Sequence, residues 1–144
     1  MKILVTGAAG FLGSRLAKAL LAGAPGLPEV SALVAVDTAA CAIDDPRVDC
    51  KTGTITDDSF TTSIVESDVD AVYHLAAVVS GQAEAEFDVG MRVNVNATRA
   101  LLEACRRLEK PPRFIFTSTL AVFGGSLPAI VPDDIALVGA PLRK

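Results

Sequence analysis

Apolar positions along this chain switch repeatedly between two spacings. Lys2 to Thr6 (KILVT) is a short aliphatic and β-branched run, which predicts a buried strand. From Phe11 to about Gly23, Leu12, Leu16, Ala19 and Leu20 recur at helical spacing, with Arg15 and Lys18 on the other face. Pro25, Gly26 and Pro28 end that helix. Val30 to Asp37 (VSALVAVD) predicts a second strand, Pro46 to Lys51 a weak third and Val69 to Leu75 (VDAVYHL) a fourth. Between the last two, Asp57 can cap a short helix that holds Phe60 and Ile64. The longest helix is expected over residues 84–108. Phe87, Met91, Val95, Thr98, Leu102 and Cys105 mark its inner face, with Glu84 and Glu86 near its start and Arg106 and Arg107 near its end, as the helix dipole prefers. Pro111 and Pro112 stop it, and Arg113 to Thr117 (RFIFT) predicts a fifth strand. After Gly125 the pattern fades into loop-like sequence with Pro128, Pro132 and Pro141. Strand and helix alternating in this way imply right-handed crossovers and an α/β fold on a parallel sheet.

Composition narrows the classes. Hydrophobic residues make up 51% of the 144 and charged residues 21%, which excludes intrinsic disorder. Mean hydropathy is high at +0.45, yet no apolar run approaches the ~18 residues of a membrane span. The excess is Ala and Val, which suits buried parallel strands with small-residue helices against them. Net charge is −4 with no basic stripe, so no nucleic-acid partner is expected. The three cysteines, Cys41, Cys50 and Cys105, are odd in number and show no CxxC spacing. Neither a disulfide framework nor a zinc site is expected, and a reducing cytoplasm fits. Cys105 reads as a small core residue. The N-terminus mimics a signal peptide, with Lys2, an apolar stretch and Ala22-Gly23-Ala24. Gly7, Gly10 and Gly13 break that stretch and Arg15 and Lys18 charge it, so strand, turn and helix are read there instead.

The candidate chemistry begins at the first strand end, where Thr6-Gly7-Ala8-Ala9-Gly10-Phe11-Leu12-Gly13 spaces its glycines G-x-x-G-x-x-G. Gly7 permits a tight turn, Gly10 lets the backbone approach a pyrophosphate, and Gly13 lets helix and strand pack closely. The helix start at Phe11 and Leu12 then offers N–H groups and a partial positive charge to phosphates. Glycine spacing alone is weak; a strand before it and a helix after it make it a dinucleotide site. Asp37 ends the second strand 24 residues after Gly13. A carboxylate there accepts both adenosine ribose hydroxyls and repels a 2′-phosphate, and residues 38–46 hold no Lys or Arg to receive one. NAD is therefore expected rather than NADP, with a merely solvated strand-end Asp as the alternative.

Four separated strings, TGAAGFLG (6–13), YHLAA (73–77), RVNVNATRALLEAC (92–105) and FTSTLAVFG (116–124), resemble the extended short-chain dehydrogenase/reductases, the NAD-dependent epimerase/dehydratase group. The resemblance runs to about Leu137 and implies the amino-terminal part of a Rossmann-type doubly wound parallel sheet of about five strands. Residues 76–98 and 116–125 are most similar to family members that oxidise the 2-hydroxyl of a four-carbon sugar acid with NAD. The resemblance implies that Leu75, Ala76 and Ala77 line the cofactor. It places Ser80 toward substrate within a loop over 78–82, and Asn94 as a brace for the active site. Thr117 and Ser118 would lie beside the nicotinamide, and the Thr119 hydroxyl would hydrogen-bond the reacting oxygen. His74, the sole histidine, follows an apolar strand and reads as a hydrogen-bonded core residue before an acid or ligand. Tyr73 reads as packing. Two departures stand out. Thr54 follows Gly53 where the family often has an Asp touching adenine, which leaves that contact to the Thr54 hydroxyl and the Ile55 backbone. Ala97 stands where a Gly is usual.

The resemblance also implies a Tyr-x-x-x-Lys pair, with the Tyr at position 143 or 144, where the chain reads Arg143-Lys144. No Tyr follows Tyr73. Acid–base catalysis is typically worth about 10²–10⁴-fold, so residues 1–144 are expected to form an NAD-binding domain lacking turnover. The helix carrying that pair and the substrate lobe would lie beyond it. The full-length protein is expected to be a homodimer acting on a small molecule, a sugar acid or nucleotide sugar. The rival readings are a nucleotide-sugar epimerase or dehydratase fragment and a non-catalytic NAD-binding regulatory module.

Overall fold

Ile3, Leu4 and Val5 of the first strand are wholly buried, because this strand is the middle of the sheet and has helices on both faces. The computed structural model describes residues 1–23, 26, 28–119 and 129–130. Five strands, β1 (Lys2–Thr6), β2 (Ala32–Asp37), β3 (Val48–Thr52), β4 (Ala71–His74) and β5 (Arg113–Phe116), pair in the order β3-β2-β1-β4-β5. Every pairing is parallel, with Val5 opposite Ala35 on one side and Tyr73 on the other. The doubly wound parallel sheet expected from the sequence is the one observed.

The period-two alternation of β1 sends its side chains to two separate cores. Ile3 and Val5 join Leu33, Ala35, Ala17 and Leu20 beneath helix α1 (Phe11–Leu21). Leu4 joins Val34, Val36 and Val72 beneath helices α2 (Asp58–Ile64) and α5 (Thr98–Arg106). Asp57 caps α2 as expected, accepting from the N–H groups of Ser59 at 2.8 Å and Phe60 at 3.2 Å. Tyr73 packs, half-buried, on the α1 side.

Two expected helix faces need correction. In α1 Leu20 is buried as expected, but its buried companions are Gly13 and Ala17, while Leu12 is 58% exposed. The small residues lie inward because α1 sits tightly on the sheet. The continuous helix expected over 84–108 is instead four segments: α3 (Ser80–Ala85), α4 (Phe87–Gly90), a π-helical stretch (Met91–Ala97) and α5. Residues 80–82, expected as loop, start α3. A π turn holds more residues than an α turn, so side chains beyond it rotate about the axis relative to an α-helical count. The buried residues there are Ala97, Leu101 and, as expected, Cys105. Phe87, Met91, Val95 and Leu102, expected inside, are exposed, Phe87 at 64%. Positions 120–128 and 131–144, including the expected Tyr position, lie outside the described residues.

Candidate functional site

The site grows from the chain reversal after β1. Gly7 takes φ +74°, a left-handed conformation that disfavours side chains. A Cβ there would lie 2.8 Å from the backbone nitrogen of Ala76, so the glycine turn is seated directly on the end of β4. A Cβ on Gly13 would collide with the Gly7 carbonyl oxygen and come within 2.8 Å of the Ala8 Cα. Gly13 thus lets α1 start flush against the turn itself rather than against the strand. Gly10 caps α1 without a side-chain hydrogen bond, and no acidic residue occupies the first turn. The first-turn N–H groups of Phe11, Leu12 and Gly13 have no carbonyl one turn before them, so the helix start is an open donor set with a partial positive charge.

A cleft of about 290 Å³ opens over this turn at the carboxyl ends of β1, β2 and β4. Gly7 and Gly10 form its floor, Val36, Asp37 and Thr38 one wall, and Gly53, Thr54 and Ile55 the wall beyond. Leu75, Ala76, Ala77, Val78 and Val93 close the far side. Asp37 is the one charged residue among the described lining residues. Its carboxylate accepts from the Ala9 N–H at 3.0 Å and from the Ala39 N–H at 3.1 Å, which ties the glycine turn to the chain leaving β2. The first cation after β2, Arg47, is committed elsewhere. It pairs with Asp45 at 2.7 Å and donates to the carbonyls of Val30 and Leu21 at 3.2 Å and 3.0 Å. The Thr54 hydroxyl shares a 2.8 Å hydrogen bond with that of Thr56.

Behind the cleft, His74 is buried and bonded at both ring nitrogens, Nδ1 to the Thr6 hydroxyl at 2.7 Å and Nε2 to the Thr98 hydroxyl at 2.8 Å. Thr6 Oγ1 also accepts the Ala76 N–H at 3.3 Å. Every proton has a place when Nε2 carries the ring hydrogen, Thr6 donates to Nδ1 and Ala76 donates to Thr6. Burial holds the His74 pKa down at about 4. This is the hydrogen-bonded core histidine expected from the sequence, and it locks β1, β4 and α5 together one residue below the cleft wall.

Asn94 lies in the π-helical stretch and grips the backbone of Val78 from both sides. Its Oδ1 accepts the Val78 N–H at 2.8 Å and its Nδ2 donates to the Val78 carbonyl at 2.9 Å. Asn94→Ala removes both bonds, and one hydrogen bond is worth about 1 kcal/mol. The Val78 amide should then exchange with deuterium about fivefold to tenfold faster, read by site-resolved hydrogen exchange. An unchanged rate would mean that the grip does not hold this segment.

The structure brings together most of the residues singled out from sequence. Gly7, Gly10, Asp37, Thr54, Ile55, Leu75, Ala76 and Ala77 share the cleft, with Phe11, Leu12 and Gly13 at the helix start beside it. Ser80 begins α3 in an exposed position away from the lining. Thr117, Ser118 and Thr119 follow β5 one strand further along and are exposed; the Thr117 N–H donates to the His74 carbonyl at 3.3 Å. Val36, Thr38, Gly53 and Val93 line the cleft without having been expected there. Val36 and Thr38 flank Asp37, so strand-end position alone could have flagged them. A second groove, about 370 Å³ between α2 and α5, is lined by Asp58, Thr61, Arg99, Glu103 and Arg107 and has no glycine turn. Its Glu103 is already paired with Arg106 at 2.7 Å.

Comparison with known proteins gives a consistent picture. The family model described as "NAD dependent epimerase/dehydratase family" matches residues 3–143. A D-erythronate dehydrogenase of Cupriavidus necator is 50% identical over 143 residues, 95% of this chain and 44% of that protein. Among solved structures, a nucleoside-diphosphate-sugar epimerase of Agrobacterium tumefaciens superposes with a TM-score of 0.87 at 34% identity, over 96% of this chain and 43% of that one. A dTDP-glucose 4,6-dehydratase of Streptomyces venezuelae, solved with NAD bound, gives 0.84 at 30% identity, over 96% and 45%. The chain spans less than half the length of each of these relatives.

Proposed function

Because the chain belongs to the NAD dependent epimerase/dehydratase family, we propose that its glycine-turn cleft holds NAD and that residues 1–144 are the dinucleotide-binding part of a sugar-acid dehydrogenase. The observation that carries this reading is the convergence of three features on one cleft: Gly7 seated on β4, the open start of α1, and Asp37 on the wall. Each meets a different part of a dinucleotide. The N–H groups of Phe11 and Leu12 take the pyrophosphate, which Gly10 lets approach the backbone. The Asp37 carboxylate takes the adenosine ribose hydroxyls, and Thr54 with Ile55 borders the adenine. Leu75, Ala76 and Ala77 run along the nicotinamide half.

When bound, NAD supplies the hydride acceptor for oxidation of an alcohol. On the protein side, Thr117 and Ser118 border the nicotinamide and Ser80 contacts substrate. Thr119 donates or accepts a hydrogen bond at the reacting oxygen, and Asn94 acts as a positioning residue by fixing Val78. The Tyr-x-x-x-Lys pair and a substrate lobe belong to the full-length protein, which we place in the cytoplasm as a homodimer. The likeness to a D-erythronate dehydrogenase at 50% identity supports a four-carbon sugar acid as substrate. The likeness to the nucleoside-diphosphate-sugar epimerase supports nucleotide sugars as the second reading. NADH formation from D-erythronate by the full-length protein would separate the two.

Titration calorimetry of the chain tests the cofactor assignment. NAD⁺ should bind at least about tenfold more tightly than NADP⁺, since a 2′-phosphate would meet the Asp37 charge and lose a charge-assisted hydrogen bond worth about 1.5–3 kcal/mol. Asp37→Ser should narrow that ratio. Equal affinity, or a preference for NADP⁺, would refute the role given to Asp37.

A further inference from the structure

Cys41 and Cys50 stand nine positions apart in the sequence in no recognisable motif. The fold brings both to one residue of β2. Cys50 is exposed on β3, which ends the row of described strands, and pairs in register with Ala35. Cys41, half-buried, follows β2 and doubles back so that its Sγ lies 3.9 Å from the Ala35 carbonyl oxygen. Val48 packs into the cluster beneath α1 that also contains Ala35 and Cys41. Strand alternation puts Cys50, two residues on, on that same face. The two thiols are then direct neighbours. Burial pushes the Cys41 thiol up to about 11, and the Cys50 thiol beside it and the Asp37 charge push the same way. Cys105 lies buried in the other core, under α5.

We propose that Cys41 and Cys50 form a two-thiol modification site that a peroxide converts to a disulfide, closing residues 41–50 into a ring beside the cleft wall. The exposed Cys50 reacts first, since access and thiolate character govern thiol oxidation and the Cys41 thiol is held protonated. The Cys50 sulfur attacks hydrogen peroxide, the O–O bond breaks, one water leaves and Cys50 becomes a sulfenic acid. Cys41 then gives up its proton and attacks that sulfur. The S–O bond breaks, the S–S bond forms and a second water leaves. Two thiols are oxidised by two electrons and one peroxide is reduced to two waters. The bond tethers to β3 the segment that carries Thr38, on the cleft wall, and Ala39, which donates to Asp37. A thiol reductant reverses it.

The test treats the chain, dilute enough to suppress contact between molecules, with stoichiometric hydrogen peroxide. Remaining thiols are alkylated and peptides mapped without reduction. The expected product is a peptide pair linked through Cys41 and Cys50, lighter by two hydrogens, that disappears with reductant and in both Cys41→Ser and Cys50→Ser. Cys105 should be alkylated to the same extent before and after peroxide. A sulfinic or sulfonic acid at Cys50 with Cys41 still free would overturn the proposal. So would a Cys50 disulfide between two chains, or any linkage to Cys105.

Discussion

Gly13→Ala should unfold the chain at markedly lower denaturant and abolish dinucleotide binding in the same variant. The reason is local and backbone-borne. A methyl at this position meets the Gly7 carbonyl oxygen and the Ala8 Cα, atoms that no rotamer change can move aside. Relief requires α1 to slide off the glycine turn, and overpacking of this kind costs about 3 kcal/mol. That slide also withdraws the N–H groups at the helix start from whatever anion they face. Losing two charge-assisted hydrogen bonds, at about 1.5–3 kcal/mol each, corresponds to at least about a hundredfold weaker NAD⁺ binding. Gly81→Ala is the control: nothing lies within 4 Å of a Cβ there, and alanine favours a helix. Gly10→Ala should fall between the two, with its closest contact at 3.2 Å. Urea unfolding of the three variants, followed by calorimetry with NAD⁺, orders them. An unchanged Gly13→Ala midpoint would show that the turn is looser than this geometry.

Stability should also fall steeply between pH 6.5 and 4, and one side chain should account for it. His74 keeps its neutral form in the fold down to about pH 4, whereas its ordinary pKa is 6.5. In the unfolded chain it takes up a proton as the pH drops through 6.5; in the folded chain it does not. The unfolded state therefore binds more protons across this window. The stabilisation is complete above pH 6.5 and is lost as the pH falls toward 4, about 3 kcal/mol in all. Carboxylates held low by their partners, such as Glu66 by Lys2 and Asp57 by Ser59, begin to lose their contribution only as the pH falls through their ordinary values of 4.5 and 3.8, so the window above pH 5 belongs to His74. His74 is the sole histidine, so the slope can be assigned. Unfolding free energies at half-unit pH steps should show a slope approaching about 1.4 kcal/mol per unit below pH 6. His74→Gln, less stable at neutral pH through its altered bonds to Thr6 and Thr98, should be nearly flat over the same window. A flat profile for the unaltered chain would mean that His74 is protonated in the fold.

Where the sequence and the structure differ, the cause is visible in particular residues. Strand periodicity survives burial on both faces, so β1 appears with the same limits, Lys2–Thr6, in both. Asp57 at the start of α2 was legible because capping depends only on residues two and three positions ahead. The glycine turn was legible because its spacing stands between a strand pattern and a helix pattern within residues 2–21, and the demand on Gly13, from Gly7 and Ala8, is equally local. The inner face of the segment after α3 was not legible. Its apolar residues recur at α-helical intervals, but Asn94 grips Val78 within a π-helical stretch, and Ala97 and Leu101 turn inward in place of Val95 and Leu102, while Thr98 and Cys105 keep the side expected of them. Ser80 and residues 117–119 were placed by resemblance alone, and they stand outside the described cleft lining.

By itself the chain determined its alternating elements, the glycine turn and the carboxylate at the end of β2, since each is written in contiguous residues within reach of one another. The tertiary structure decided what depends on distant segments meeting. It set Gly7 against Ala76, placed Asp37 between Ala9 and Ala39, joined Thr6 to Thr98 through His74, and brought Cys41 beside Cys50 across Ala35. Local patterning records propensity and the side of an element that is apolar. Which residues become neighbours is set by strand order and crossover, and only the folded sheet specifies those.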